Sequence, residues 1–186
     1  SRGENISMKF IKTDFEGCYI IEIERKIDER GHFARILDNK ILEKNNLNCN
    51  FVQSSISFNN KKYTLRGMHY QTNPYEEEKL VRCSKGKIFD VIIDIRKNSK
   101  TFKKWIGVEL SEKNLRMIYI PKGMAHGFLT LEGNTEIVYQ ISQYYSLEHS
   151  NGIRWNDPKF SIKWPNEISI LSEKDKNYPD FNENES

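Results

Sequence analysis

The sequence predicts an all-β protein, a sandwich or small barrel, on three observations. Short runs with strand character recur along the 186 residues, turn signals separate them, and little helical periodicity lies between. The first run, GCYIIEIER (17–25), is rich in β-branched and aromatic residues. NKILEKNNL (39–47) is the best helix candidate, with a weak apolar stripe of Ile41, Leu42 and Leu47 and with Asp38 or Asn39 as its cap. FVQSSISF (51–58), KLVRC (79–83) and KIFDVIIDIR (87–96) follow as strands, then WIGVELS (105–111), RMIYIP (116–121), GFLTL (127–131) and EIVYQIS (136–142). In 87–96, Phe89, Val91, Ile93 and Ile95 fall on one face, and Ile88, Asp90, Ile92 and Asp94 on the other. The expectation is an antiparallel strand with one wet face; the sharper alternative sets Asp90 or Asp94 in the wall of a polar pocket.

Length and composition narrow the classes. A chain of this size fits one domain with a real core. Its 37% hydrophobic and 30% charged residues are globular values, and no run approaches the ~20 apolar residues that span a bilayer. Lys and Arg number 29 against 26 Asp and Glu, a net +3 that is too evenly mixed for a nucleic-acid surface. Any bound anion must therefore be met by local cations. Cys18, Cys49 and Cys83 are odd in number, far apart and without a CxxC pair, which points to neither disulfides nor a thiolate zinc site and fits the cytoplasm. SRGENIS lacks the marks of a signal peptide, and the polar FNENES ending is expected to be disordered. The expected organisation is a leader over 1–7, one domain over 8–180 and a disordered tail over 181–186.

The chemistry concentrates in LRGMHYQ (65–71) and PKGMAHGFLTL (121–131), where a Pro/Gly turn delivers His126 to a strand. The PxGxxH spacing resembles the second motif of cupin barrels. Metal-dependent cupins supply an HxH pair and a glutamate from the first motif, whereas here His69 is followed by Tyr70 and Gln71. Two histidines with one of Glu76, Glu77 or Glu78 fall short of a convincing metal set, so the expectation is a pocket with no catalytic metal and no cofactor. Histidine, with a pKa near ~6.5, is a base at neutral pH, and tyrosine, near ~10, remains a donor. A lysine such as Lys79 can stabilise an enolate oxygen. Together these residue types point to epimerisation or isomerisation beside a ketone.

DERGHFAR (28–35), FVQSS (51–55), LRGMHYQ, residues 79–111, IPKGMAHGFLTL (120–131), EIVYQISQYYS (136–146), GIRWNDP (152–158) and LSEKD (171–175) run in order along the chain. Together they resemble the dTDP-4-dehydrorhamnose 3,5-epimerase family. The resemblance implies a cupin-type jelly-roll β-barrel with a few short helices and an N-terminal strand extension. It implies inversion of carbons 3 and 5 of a dTDP-linked 4-keto-6-deoxy hexose through an enolate. It further implies a cytoplasmic homodimer acting in dTDP-rhamnose and cell-surface polysaccharide biosynthesis, of the lipopolysaccharide or O-antigen kind.

By the same resemblance His69 is the general base, Asp175 its carboxylate partner, Tyr139 the acid on the opposite face and Lys79 the enolate's cation. His126 contacts the sugar, Arg66 and Arg30 hold the diphosphate, and Gln53 and Lys174 make further substrate contacts. Tyr145 stacks on the base, and Phe33 lies near it, delivered to the neighbouring subunit's pocket. The sequence departs from the family where a glutamate is replaced by Arg35, an asparagine by Ser55 and a glutamate by Ser150, all on the nucleotide side. The expectation is therefore a retained hexose with dTDP, CDP or GDP as carrier. Alternatives are inversion at carbon 3 alone, a sugar 3,4-ketoisomerase, a metal-dependent cupin oxygenase and a non-catalytic sugar-nucleotide binding module.

Overall fold

A computed structural model describes residues 7–184. Thirteen strands carry the fold: β1 (Met8–Lys12), β2 (Tyr19–Ile23), β3 (Lys26–Asp28), β4 (Gly31–Phe33), β5 (Gln53–Asn59), β6 (Leu65–Gln71), β7 (Lys79–Lys85), β8 (Lys87–Asp94), β9 (Trp105–Ser111), β10 (Met117–Ile120), β11 (Met124–Thr130), β12 (Thr135–Ile141) and β13 (Ser150–Gly152). Helices are short: α1 (Asn39–Lys44) and the single turn α2 (Glu173–Lys176). Two antiparallel sheets make up the barrel, one ordered β1-β2-β10-β7-β12-β5 and the other β13-β6-β11-β8-β9. β3 and β4 form a separate hairpin. The all-β jelly-roll expectation agrees with this architecture.

Between the sheets, alternate residues interdigitate as an apolar core. Val81 and Cys83 of β7, Ile118 and Ile120 of β10 and Ile137 of β12 meet Ile88 and Ile92 of β8, Leu110 of β9 and Phe128 of β11. The outer face of the five-stranded sheet is covered too: Val91, Ile93 and Ile95 pack with Ile153, Phe160 and Phe181 from the C-terminal segment. On the outer face of the other sheet, Ile21, Leu80 and Met117 pack under Leu42 of α1. The expectation of a wet face on β8 is corrected: the face of Val91 and Ile93 lies under this covering, and Asp90 and Asp94, on the face turned into the barrel with Ile88 and Ile92, are both fully buried. Asp94 is satisfied by Arg96, Ser99 and Thr101, which outweigh the burial that would raise its carboxyl and hold it below the ordinary value.

Asp38 is the cap of α1, accepting from the Lys40 N–H at 3.0 Å. The helix ends earlier than the apolar stripe predicts. Asn46 takes a left-handed φ of 58°, and Leu47 N–H returns to the Leu42 carbonyl, a closure that leaves Leu47 outside the helix but packed on the same cluster. The disordered tail expected from 181 is also corrected. Phe181 is buried edge-on against Phe160, and its N–H donates to Asp157 at 2.7 Å. Of the expected leader, residues 1–6 lie outside the described residues, as do 185–186 of the tail.

Candidate active site

The rows that fill the core turn polar toward one end of the barrel. On β11 the inward series Met124, His126, Phe128 carries one imidazole between two apolar residues, and on β8 Asp90 stands between Ile88 and Ile92. On the facing sheet Lys79 continues the row of Val81 and Cys83, and Tyr139 continues that of Ile137. His126, Lys79 and Tyr139 open on a cavity of about 410 Å³, with Asp90 buried behind His126. His69, His126 and Arg66 enter it from one sheet, and Lys79, Tyr139 and Gln53 from the other.

One irregularity puts His69 and Arg66 on the same side. Residues three apart on a regular strand point to opposite faces. Here His69 pairs with His126 and Arg66 with Phe128, so three residues of β6 span two of β11 and a one-residue bulge rotates the strand. Gly67 makes the bulge possible: its φ is +118°, and a Cβ there would lie 2.6 Å from the Gly127 Cα and 2.8 Å from the His126 carbonyl oxygen. Gly67→Ala should cost ~3 kcal/mol of stability and lower kcat/KM more than tenfold, measured by thermal unfolding and turnover.

The bulge also orients the partner of His69. Asp175, on α2, accepts from His69 Nε2 at 2.7 Å through one oxygen and from the Gly67 N–H at 3.0 Å through the other. Ser172 caps that turn by accepting from the Asp175 N–H. Burial raises the Asp175 carboxyl, but the His69 hydrogen bond and charge, with the Gly67 N–H, outweigh it and hold the group below its ordinary value. An ionised carboxylate takes the Nε2 proton and leaves the lone pair on Nδ1, so Nδ1 is the basic nitrogen. Because the folded value is depressed, Asp175's contribution to stability is present above the unfolded carboxylate range and lost as pH falls through the folded value. An acid titration of the unfolding midpoint should show this slope, and Asp175→Asn should flatten it.

His126 makes a second imidazole–carboxylate pair, with Nε2 2.6 Å from Asp90 and both side chains buried. Burial pushes the Asp90 carboxyl up, against the pull of His126 and Lys79. The Tyr139 ring meets that of His126 edge to face at 6.1 Å, and burial, reinforced by the Asp90 charge, drives its phenol above the ordinary value. Lys79 forms an ion pair with Glu77 at 3.3 Å, both nearly buried. Arg66 is braced by Asn59 at 2.7 Å and the Phe58 carbonyl at 3.2 Å. Gln53 accepts from the Tyr145 N–H at 3.0 Å and so ties down the loop that carries this exposed ring at the cavity mouth. Lys174 lines the same cavity, as do Ser55 and Ser150.

Three predicted residues are not brought to this cavity. Arg30 and Phe33 sit on the β3–β4 hairpin, where Arg30 is exposed and paired with Asp28 and Phe33 is 43% exposed. Arg35 instead faces Asp38, 3.8 Å away at the start of α1. Conversely, Asp90, Ser57, Gln71 and Glu77 belong to the site and were not assigned to it from sequence: Asp90 stood only as a possible pocket wall, and Glu77 only as a possible metal carboxylate. Gln71 accepts from the Ser146 N–H and donates to the Tyr75 and Tyr144 carbonyls, holding the mouth loops together.

Comparison with known proteins agrees with this geometry. A family model described as dTDP-4-dehydrorhamnose 3,5-epimerase matches residues 12–183. The dTDP-4-dehydrorhamnose 3,5-epimerase of Methanothermobacter thermautotrophicus is 43% identical over 179 residues, 95% of this chain and 96% of that one. A Bacillus anthracis dTDP-4-dehydrorhamnose 3,5-epimerase solved with TDP and PPi bound is 42% identical, with a TM-score of 0.90 over 93% of this chain and 99% of that one. A Legionella pneumophila dTDP-6-deoxy-D-glucose-3,5-epimerase in complex with dTDP-4-keto-L-rhamnose is 40% identical, with a TM-score of 0.86 over 91% and 90% of the two chains. Matched by this family model over nearly its whole length, and by relatives above 40% identical that share its fold, the chain belongs to the dTDP-4-dehydrorhamnose 3,5-epimerase family.

Proposed function

We propose that this enzyme inverts carbons 3 and 5 of dTDP-4-dehydro-6-deoxyglucose to give dTDP-4-dehydrorhamnose. One observation carries the reading: an Asp175-paired imidazole and a phenol enter one cavity from opposite sheets, so a sugar ring between them meets a base on one face and an acid on the other. His69 Nδ1 takes the proton from the carbon beside the 4-keto group. Charge moves to the ketone oxygen, where Lys79 stabilises the enolate. Tyr139 returns a proton to the opposite face, and His126 holds the sugar. Turnover of the dTDP-sugar in heavy water, with deuterium located by carbon, tests this; label at carbon 3 alone would reduce the activity to a single inversion.

Arg66 and Lys174 meet the diphosphate, and Tyr145 stacks on the base. Arg66→Ala should raise KM about ten- to hundredfold with a smaller change in kcat, since charge-assisted hydrogen bonds are worth about 1.5–3 kcal/mol; an unchanged KM would displace the diphosphate from this end. Arg30 and Phe33 act in the neighbouring cavity of a homodimer. Their hairpin pairs with neither barrel sheet and does not line its own cavity, and it exposes Ile27 (77%) as the edge strand β5 exposes Ile56 (65%). Ser55 and Ser150 line the nucleotide side where the family carries larger polar groups, so comparing dTDP-, CDP- and GDP-linked substrates fixes the carrier. The setting that follows is cytoplasmic synthesis of activated rhamnose for cell-surface polysaccharide.

A further inference from the structure

A double inversion sets a problem that one base and one acid do not solve. After the first carbon is inverted, His69 carries an extra proton and Tyr139 has lost one, and the second carbon needs both restored. His69 has a direct route, since its side chain is 43% exposed and can pass its proton to water. Tyr139 is half-buried against the interior row, with His126 edge-on to its ring and its remaining face on the cavity that the substrate fills, which Ser57 and Lys79 also line. Lys79 is occupied by Glu77 and, in the reading above, by the enolate oxygen.

The buried pair behind His126 fits the missing role. Asp90 is fully buried, yet only Oδ1 is used, on His126 Nε2. Asp90 Oδ2 has no hydrogen-bond partner among the described residues, and the buried Ser57 hydroxyl lies against the Tyr139 phenol. Nothing in apolar packing calls for a carboxylate between Ile88 and Ile92. Asp90 Oδ1 instead fixes the orientation of the His126 ring through Nε2. Since Nε2 faces Asp90, the second ring nitrogen, Nδ1, is left for an exchangeable proton.

We propose that the Asp90–His126 pair is the proton store that recharges Tyr139 between the two inversions, with His126 as donor and Asp90 as its positioning residue. This rests on the assignment of Tyr139 as the acid. The step is proton transfer only: the phenolate oxygen gains the proton from His126 Nδ1, through a bridging water beside Ser57, and the imidazole is left neutral with Nε2–H still on the Asp90 carboxylate. When product leaves, solvent returns one proton to His126 and one to Tyr139, while His69 releases two over the cycle, one after each inversion. Protons balance over the cycle.

The test is a single turnover of the dTDP-sugar in heavy water with Asp90→Asn and His126→Gln, scoring singly against doubly inverted product. His126→Gln keeps a donor toward Asp90 but has no proton to give, so it decides the matter should Asp90→Asn fail to fold. The expected result is a rise of about tenfold or more in the ratio of singly to doubly inverted sugar, in the range ascribed to one proton-transfer group. An unchanged ratio, whether overall turnover is normal or uniformly slowed, overturns the proposal and leaves a merely structural pair. Tyr139→Phe run alongside separates the two claims. If it inverts both carbons at the normal rate, the acid assignment has failed; if it does not and the ratio in the other two variants is normal, only the proton store has failed.

Discussion

His69→Ala is expected to stop exchange of the substrate's ring protons with solvent, lowering kcat by about 10²- to 10⁴-fold, the range associated with a positioned general base. The fold should survive. The side chain is 43% exposed, so its removal opens the cavity rather than the core. Asp175 keeps the Gly67 N–H but loses the hydrogen bond and charge that outweigh its burial, so its carboxyl should move back up. Arg66 and Lys174 do not depend on the imidazole, so dTDP affinity should change little, and calorimetry with dTDP separates loss of chemistry from loss of binding. Full exchange of deuterium into the substrate by this variant would remove His69 from the proposed role.

Tyr139→Phe should uncouple exchange from inversion. The base still removes the proton, and its exposed imidazole trades that proton for deuterium from the solvent. Without a donor on the far face, the enolate is quenched from the side it was formed on. The expected signature is deuterium gained with configuration retained, and inversion slowed about 10²-fold or more relative to exchange. The ring itself remains, with its contacts to His126 and to the inward apolar row, so stability should hold. In the parent enzyme, burial and the nearby Asp90 push this phenol above its ordinary value, so the donor stays protonated across the neutral range and the alkaline limb of kcat/KM that belongs to it should lie above pH ~10. Equal slowing of exchange and inversion would place Tyr139 in substrate binding instead.

What could be read from the chain ahead of its fold follows from the range of each interaction. Strands such as Trp105–Ser111 announce themselves by β-branched content, a local property, and the observed bounds coincide with the predicted ones. LRGMHYQ stood out for its chemistry but not as a strand, because the bulge at Gly67 breaks the alternation by which strands are recognised. β8 was misjudged for a different reason. One face is covered by Ile153, Phe160 and Phe181, far along the chain, and on the other one oxygen of Asp90 meets a histidine 36 positions away; neither fact is contained in a window of ten residues. Motif resemblance brought together His69, Asp175, Tyr139 and Lys79, which the barrel gathers from four separate elements. It also named Arg30 and Phe33, which sit exposed on a separate hairpin and do not line the cavity of their own chain.

The extra residue in β6 has a consequence for how this enzyme can be lost. If the strand ran in phase at this length, with no bulge, Met68 rather than His69 would share a side with Arg66. Ironing out the bulge would swap imidazole for thioether, leaving a vessel that grips its nucleotide and performs nothing on the sugar. Reactivity in this molecule is thus a matter of parity, odd or even, counted along a single stretch of seven amino acids.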